Sequence, residues 1–141
     1  AGKLAESGIS AKVQTVKPGD RLEIQGIGVE STPAYNADKK FHPKESGWVG
    51  FVVQWDGVRI YHAGDTDLIP EMDSIEADVA LLPVSGTYVM TAEEAAQAAQ
   101  AIGPNVAVPM HYGSVVGTRE DAIRFMNLCG ACEVKLLEQE K

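Results

Sequence analysis

No stretch of this chain approaches the ~20 consecutive apolar residues of a membrane-spanning helix. Its first ten residues lack the basic flank and apolar centre of a signal peptide. Basic residues are also scarce: twelve Lys and Arg stand against twenty Asp and Glu, a formal net charge of -8. Such a surface repels nucleic acid and anionic membrane, and neither is expected as a partner. The expected location is cytoplasmic. The chain starts on Ala1 rather than Met, so further residues upstream are expected.

Cysteine is almost absent as well. Cys129 and Cys132 form a lone C-x-x-C with no second pair to complete a zinc knuckle. Cys129 falls where an amphipathic helix should end before Gly130, a place suited to a small apolar residue, so redox or zinc chemistry is the minor reading there. Gly26-Ile27-Gly28 lacks the third glycine and the following helix of a dinucleotide fingerprint. At 141 residues the chain has the length of one domain, residues 1–141, able to bury about two-thirds of its unfolded surface.

The chain is organised around Ile60-Tyr61-His62-Ala63-Gly64-Asp65-Thr66-Asp67. A β-branched and aromatic run stops at Gly64 and then offers two carboxylates. Alternation puts Val58, Ile60 and His62 on one face of a strand and Arg59, Tyr61 and Ala63 on the other. Gly64 permits a sharp exit, which leaves Asp65 at the strand's carboxyl end, where α/β proteins place their chemistry. A helix-capping role for Asp65 explains the same turn equally well.

Upstream, residues 1 to 8 read as a helical turn, Lys12 to Val16 as a short strand, and Lys17-Pro18-Gly19-Asp20 as a turn. Arg21 to Ile24 and Ile27 to Thr32 read as β. Residues 33 to 47 are a polar, proline-bearing loop of functional length. Trp48 to Gln54 and Val58 to His62 make a hairpin across Trp55-Asp56-Gly57, whose Asp-Gly favours a tight turn. Downstream the order is a short helix over Leu68 to Ile75, a strand over Asp78 to Leu82, and a helix capped by Thr91-Ala92-Glu93-Glu94. That helix has an alanine face, close enough to a sheet to leave little room for a cofactor. A strand over Val106 to Met110 follows. A helix starting at Thr118 then buries Ala122, Phe125, Met126 and Cys129, and a strand over Glu133 to Leu137 precedes a frayed tail from Glu138 to Lys141. The fold class is α/β (α+β), a β meander followed by alternating helices and strands.

Asp65 and His111 both end strands, and adjacent strands would bring them within reach of one divalent metal ion. A carboxylate oxygen and an imidazole nitrogen suit zinc, manganese or iron, but a catalytic site normally needs three or more protein ligands.

Several ordered motifs carry a resemblance. Pro33-Ala34-Tyr35-Asn36, His42-Pro43-Lys44, Gly47-Trp48-Val49-Gly50-Phe51, Tyr61 through Asp67, Leu81 through Tyr88 and Pro109-Met110-His111-Tyr112-Gly113 resemble the metallo-β-lactamase superfamily, most closely its ascorbate-6-phosphate-lactonase-like hydrolases. The resemblance implies a dinuclear metal site, zinc or manganese, that activates water against a small-molecule lactone, phosphodiester or amide. Asp65 matches the carboxylate that bridges two ions and His111 the last histidine ligand; His42 or Asn36 falls near the middle ligand. His62 matches no ligand and reads as support for its strand. The family's His-x-His-x-Asp-His run is missing, so the chain resembles only the C-terminal half of a four-layer αββα sandwich. That half would leave a sheet face bare, with Val49, Phe51, Val53, Val79 and Leu81 on it. The expected cover is a missing N-terminal half or a second copy of the chain. The rival to an enzyme half is a non-catalytic assembly module that homodimerises through that face.

Overall fold

The structure is a computed structural model that describes residues 13–137. The turn expected over residues 1 to 8 and the tail from 138 to 141 lie outside the described residues.

Seven strands form one mixed sheet whose spatial order follows the sequence. They are β1 (Arg21–Ile24), β2 (Ile27–Pro33), β3 (Val49–Trp55), β4 (Val58–His62), β5 (Val79–Pro83), β6 (Val106–Met110) and β7 (Glu133–Val134). β1 to β4 pair antiparallel, and β4 to β7 pair parallel. The two helices are α1 (Ala92–Ile102) and α2 (Arg119–Leu128). The change of direction follows from the connections. Gln25-Gly26 and Asp56-Gly57, all at positive φ, close two-residue hairpins, whereas the parallel pairs need crossovers, two of which hold helices.

The register explains the core. Val52, Tyr61, Ala80 and Ala107 pair in a row across β3 to β6, so they share one face, and none is more than 3 % exposed. Against that row pack Ala95, Ala98 and Ala99 of α1 and Ala122 and Phe125 of α2, all buried. The capping box of α1 forms as its sequence requires, with Glu94 N–H donating to Thr91 Oγ1 and Thr91 N–H to the Glu94 carboxylate. On the other face, Phe51, His62, Leu81 and Val108 pair in a parallel row. There Val49, Phe51, Val53, Val79 and Leu81 are only half-buried.

Four local expectations are corrected. Residues 13 to 16 form no strand: the turn before β1 bonds its own backbone to Ser31, so the ladder begins only at Arg21. The helix expected over Leu68 to Ile75 is a 3₁₀ turn, Pro70–Ser74, because Ile69 and Ile75 on either side are extended and the bonds run three residues back. Met126 is 39 % exposed, since the buried stripe of the ten-residue α2 is as narrow as Ala122 and Phe125. The last strand shrinks to Glu133–Val134; Lys135 N–H still reaches Ala107 O at 2.9 Å, and the chain then leaves β6.

Candidate metal centre

Strand polarity builds this site. β2 and β4 both run antiparallel to β3, so they are parallel to each other and to β5 and β6. The carboxyl ends of four strands therefore lie on one edge of the sheet. From them emerge the loop with Asn36 and His42, the turn with Asp65, the segment with Ser85, and His111.

Asp65 is the hub. Its Oδ2 lies 3.4 Å from His42 Nε2 and its Oδ1 lies 3.2 Å from His111 Nδ1. The carboxylate is half-exposed and presents one oxygen to each imidazole. Gly64, at φ +72°, makes the exit from β4 that aims it there. A Cβ on Gly64 would stand 3.1 Å from Val49 O. His111 itself sits at φ +60°, a left-handed conformation uncommon outside glycine that costs about 1–3 kcal/mol and is held by its surroundings.

The loop bearing His42 would be mobile by length alone, and the rest of the Gly64–Asp67 turn fixes it. Thr66 Oγ1 accepts from Tyr35 N–H and donates to Tyr35 O, and Asp67 N–H donates to the same carbonyl at 2.9 Å. The Asp67 carboxylate, almost fully buried, accepts from Ala37 N–H at 3.1 Å and from Lys39 Nζ at 2.5 Å. Further along, Lys44 and the Tyr35 hydroxyl both donate to Glu71. Burial works to raise the Glu71 carboxyl, but the hydrogen bonds from Lys44 and Tyr35 outweigh it and hold it below its ordinary value. The same Glu71 hydrogen bond raises Lys44.

Asn36 and His42 take different parts. Asn36, buried, donates through Nδ2 to Tyr88 O at 2.9 Å, and its Oδ1 accepts from His42 N–H at 3.0 Å. The same Oδ1 lies 3.1 Å from His42 Nδ1. A carboxamide oxygen only accepts, so Nδ1 must carry a proton, which leaves Nε2 directed at the Asp65 carboxylate. An imidazole nitrogen and a carboxylate oxygen set this way can share a cation, either a proton or a metal ion. The donor set thus fits a divalent metal in kind. It does not fit in number: among the described residues no group of three or more His, Cys, Asp or Glu side chains could hold a metal ion. Asp65 instead anchors two separate pairs, one per oxygen.

Two concavities flank Asp65. One of about 340 Å³ is lined by Ala34, His42, Trp48 and Val49; the other, of about 200 Å³, by Ser85, Tyr88, Val89, His111 and Val116. Ser85 Oγ is buried without a hydrogen-bond partner. His62 is exposed on the strand, its Nδ1 accepting from Gly64 N–H at 3.2 Å, and it joins neither imidazole. The sequence reading passed over Thr66 and Asp67 as parts of a turn. The available signal was a Thr and a second carboxylate next to Asp65, opposite a long loop that needs anchoring.

The profile of a family described as a β-lactamase superfamily domain matches residues 3–111. This chain belongs to the metallo-β-lactamase superfamily. Within the superfamily it is similar to the UPF0173 metal-dependent hydrolase of Thermoplasma acidophilum, 39 % identical over 119 residues, which cover 82 % of this chain and 53 % of the relative. A second relative, from Methanoregula boonei, is 39 % identical over 130 residues, 86 % of this chain and 58 % of its own. The chain spans about half the length of the curated relatives it matches. Its fold is similar to that of the metallo hydrolase Igni18 of Ignicoccus hospitalis, with a TM-score of 0.75 and 28 % identity over 99 % of this chain and 63 % of that one. A Parabacteroides distasonis protein assigned to the metal-dependent hydrolases gives 0.82 and 32 %, covering 99 % and 62 %.

Proposed function

We propose that this chain supplies part of the centre of a metal-dependent hydrolase, with Asp65, His111 and His42 as its ligands to one or two divalent ions. The observation that supports it is the Asp65 carboxylate set between two imidazoles, one oxygen to each. The metal, when bound, would supply a Lewis acid and activate water against a small-molecule ester, lactone, phosphodiester or amide. The chain's own residues do the rest. Asn36 holds the His42 proton on Nδ1 and so points Nε2 at the site, the Tyr35–Thr66 and Lys39–Asp67 bonds keep that loop against the strand edge, and the two concavities give a substrate access on both sides of Asp65. The remaining ligands come from outside the set described: from a chain of the relatives' length, or from a second copy that covers the open sheet face.

Titration calorimetry with zinc and with manganese at neutral pH tests this. The chain alone is expected to bind weakly, and binding should tighten by several orders of magnitude in a protein lengthened at its N-terminus to match the relatives. His111→Ala should abolish the tight phase. A lengthened protein that binds no metal would overturn the reading. A nanomolar site in this chain alone would show the ligand set to be complete as it stands.

A non-catalytic assembly module is favoured by one observation, the lack of any three-ligand group among the described residues. Sedimentation separates the cases. A compact dimer with no metal affinity supports assembly, and a monomer that gains tight metal binding only on lengthening supports the hydrolase.

A further inference from the structure

The C-x-x-C motif lies far from Asp65 in the sequence and takes no part in the reading above. Cys129 ends α2, donating its N–H to Phe125 O at 2.9 Å, and Cys132 leads directly into β7. Three residues apart, their sulfurs approach to 3.5 Å, and neither is engaged in a disulfide. The bond between them would need a contraction to ~2.05 Å, within reach of side-chain rotation across Gly130 and Ala131, which belong to neither α2 nor β7. Both thiols are half-buried at the fringe of the core. Leu128, Gly130 and Ala131, the residues beside and between them, line a cavity of about 520 Å³, whose other wall is Glu93, Ala96, Gln97 and Gln100 of α1. A small molecule therefore reaches the loop that carries the pair.

We propose that Cys129 and Cys132 form a reversible intramolecular disulfide by exchange with a low-molecular-weight disulfide such as glutathione disulfide. The Cys129 thiolate attacks one sulfur of the small disulfide, forms a mixed disulfide and releases one thiol. Cys132 then displaces the second thiol, its own proton passing to the departing sulfur. Two protein thiols lose two protons and two electrons, and the small disulfide takes them up to become two thiols. The order of attack follows from environment: burial and the hydrogen bond to Cys129 push the Cys132 thiol up to about 12, so little thiolate is available there. The product would clip the end of α2 to the start of β7, a strand held by two ladder residues.

The reduced chain is equilibrated across a series of glutathione to glutathione disulfide ratios, quenched by alkylation and weighed intact. The expected result is joint loss of both alkylation sites with no glutathione attached. The midpoint should fall at about tenfold less oxidising ratios than for the same chain in guanidinium, because the fold holds the sulfurs together. Cys132→Ser should stop at a glutathione adduct, and Cys129→Ser should acquire its adduct at least about tenfold more slowly. Mixed adducts alone on the unaltered chain, equal midpoints in the folded and unfolded chain, or faster reaction at Cys132 would each overturn the proposal.

Discussion

Asp65 and Asp67 stand two residues apart in one turn, and their surroundings differ in almost every respect. Half of the Asp65 side chain is exposed, and each of its oxygens faces one imidazole nitrogen, His42 Nε2 at 3.4 Å and His111 Nδ1 at 3.2 Å. Only 4 % of the Asp67 side chain is exposed, and its oxygens accept a lysine and a backbone amide at close range. Asp65 is half-exposed and meets two imidazoles at the open edge of the sheet. Asp67 has its demand met and ties a loop of more than ten residues to the sheet edge. The buried carboxylate has its partners within its own chain; the half-exposed one is the carboxylate that the proposed function uses.

The largest effect that would sharpen this contrast is expected at Asp67. Asp67→Ala leaves Lys39 beside a buried void and frees Ala37 N–H, and should cost about 3 kcal/mol in denaturant unfolding. If Asp65→Ala costs as much, the two carboxylates do not divide the work and the contrast fails. Next comes Gly64→Val, which puts a β-branched residue at φ +72° with its Cβ near Val49 O; a loss of about 2–3 kcal/mol is expected. An unchanged melting temperature would mean that the turn does not aim Asp65 at all. Asp65→Asn keeps the shape of the side chain, so its melting point should stay within the equivalent of about 0.5 kcal/mol of the parent while metal affinity falls.

The smallest effect concerns the second anchor of the loop. Glu71 is held below its ordinary carboxyl value in the folded chain, so its contribution is present above the unfolded value of about 4.5 and is lost as pH falls through the lower folded one. Lys44, raised in the folded chain, contributes below its ordinary value and loses that as pH rises through the higher one. Glu71→Gln should flatten the acid limb of the melting curve. An acid limb of unchanged steepness would assign the loop's acid sensitivity to another group.

Much of the architecture could be read from residues because it is governed by local chemistry. Asp56-Gly57 dictates its hairpin, Thr91 and Glu94 their helix start, and the alternation through Tyr61 the buried side of β4. Gly64 located the strand end, and His111 followed from the Pro109-Met110 strand before it. Other features depend on partners that no local pattern names. Val13, Thr15 and Val16 are β-branched as a strand's residues often are, yet the turn after them binds Ser31 first. Met126 has the right spacing for burial on a helix whose covered stripe is narrower than its apolar one. The different hydrogen-bonding parts of Asn36 and His42 could not be read from donor chemistry alone, since they turn on where Tyr88 O sits, 52 residues away from Asn36. Thr66 and Asp67 escaped notice for the same reason: their partners lie on a loop about thirty residues upstream.

The sheet's spatial order, identical to its order along the chain, has a kinetic meaning. Each strand as it emerges from synthesis finds its neighbour already made, and none must wait for a later segment to be inserted between two earlier ones. Only the β1–β2 and β3–β4 hairpins close over two-residue turns; the loop from β2 to β3 and the crossovers after β4, β5 and β6 are longer, so the entropy of loop closure is smallest at the hairpins. Assembly by accretion from β1 towards β7 is the expected route. Pulse-labelled amide exchange would show it as protection appearing in β2 to β4 before β6, and simultaneous protection across the sheet would rule it out.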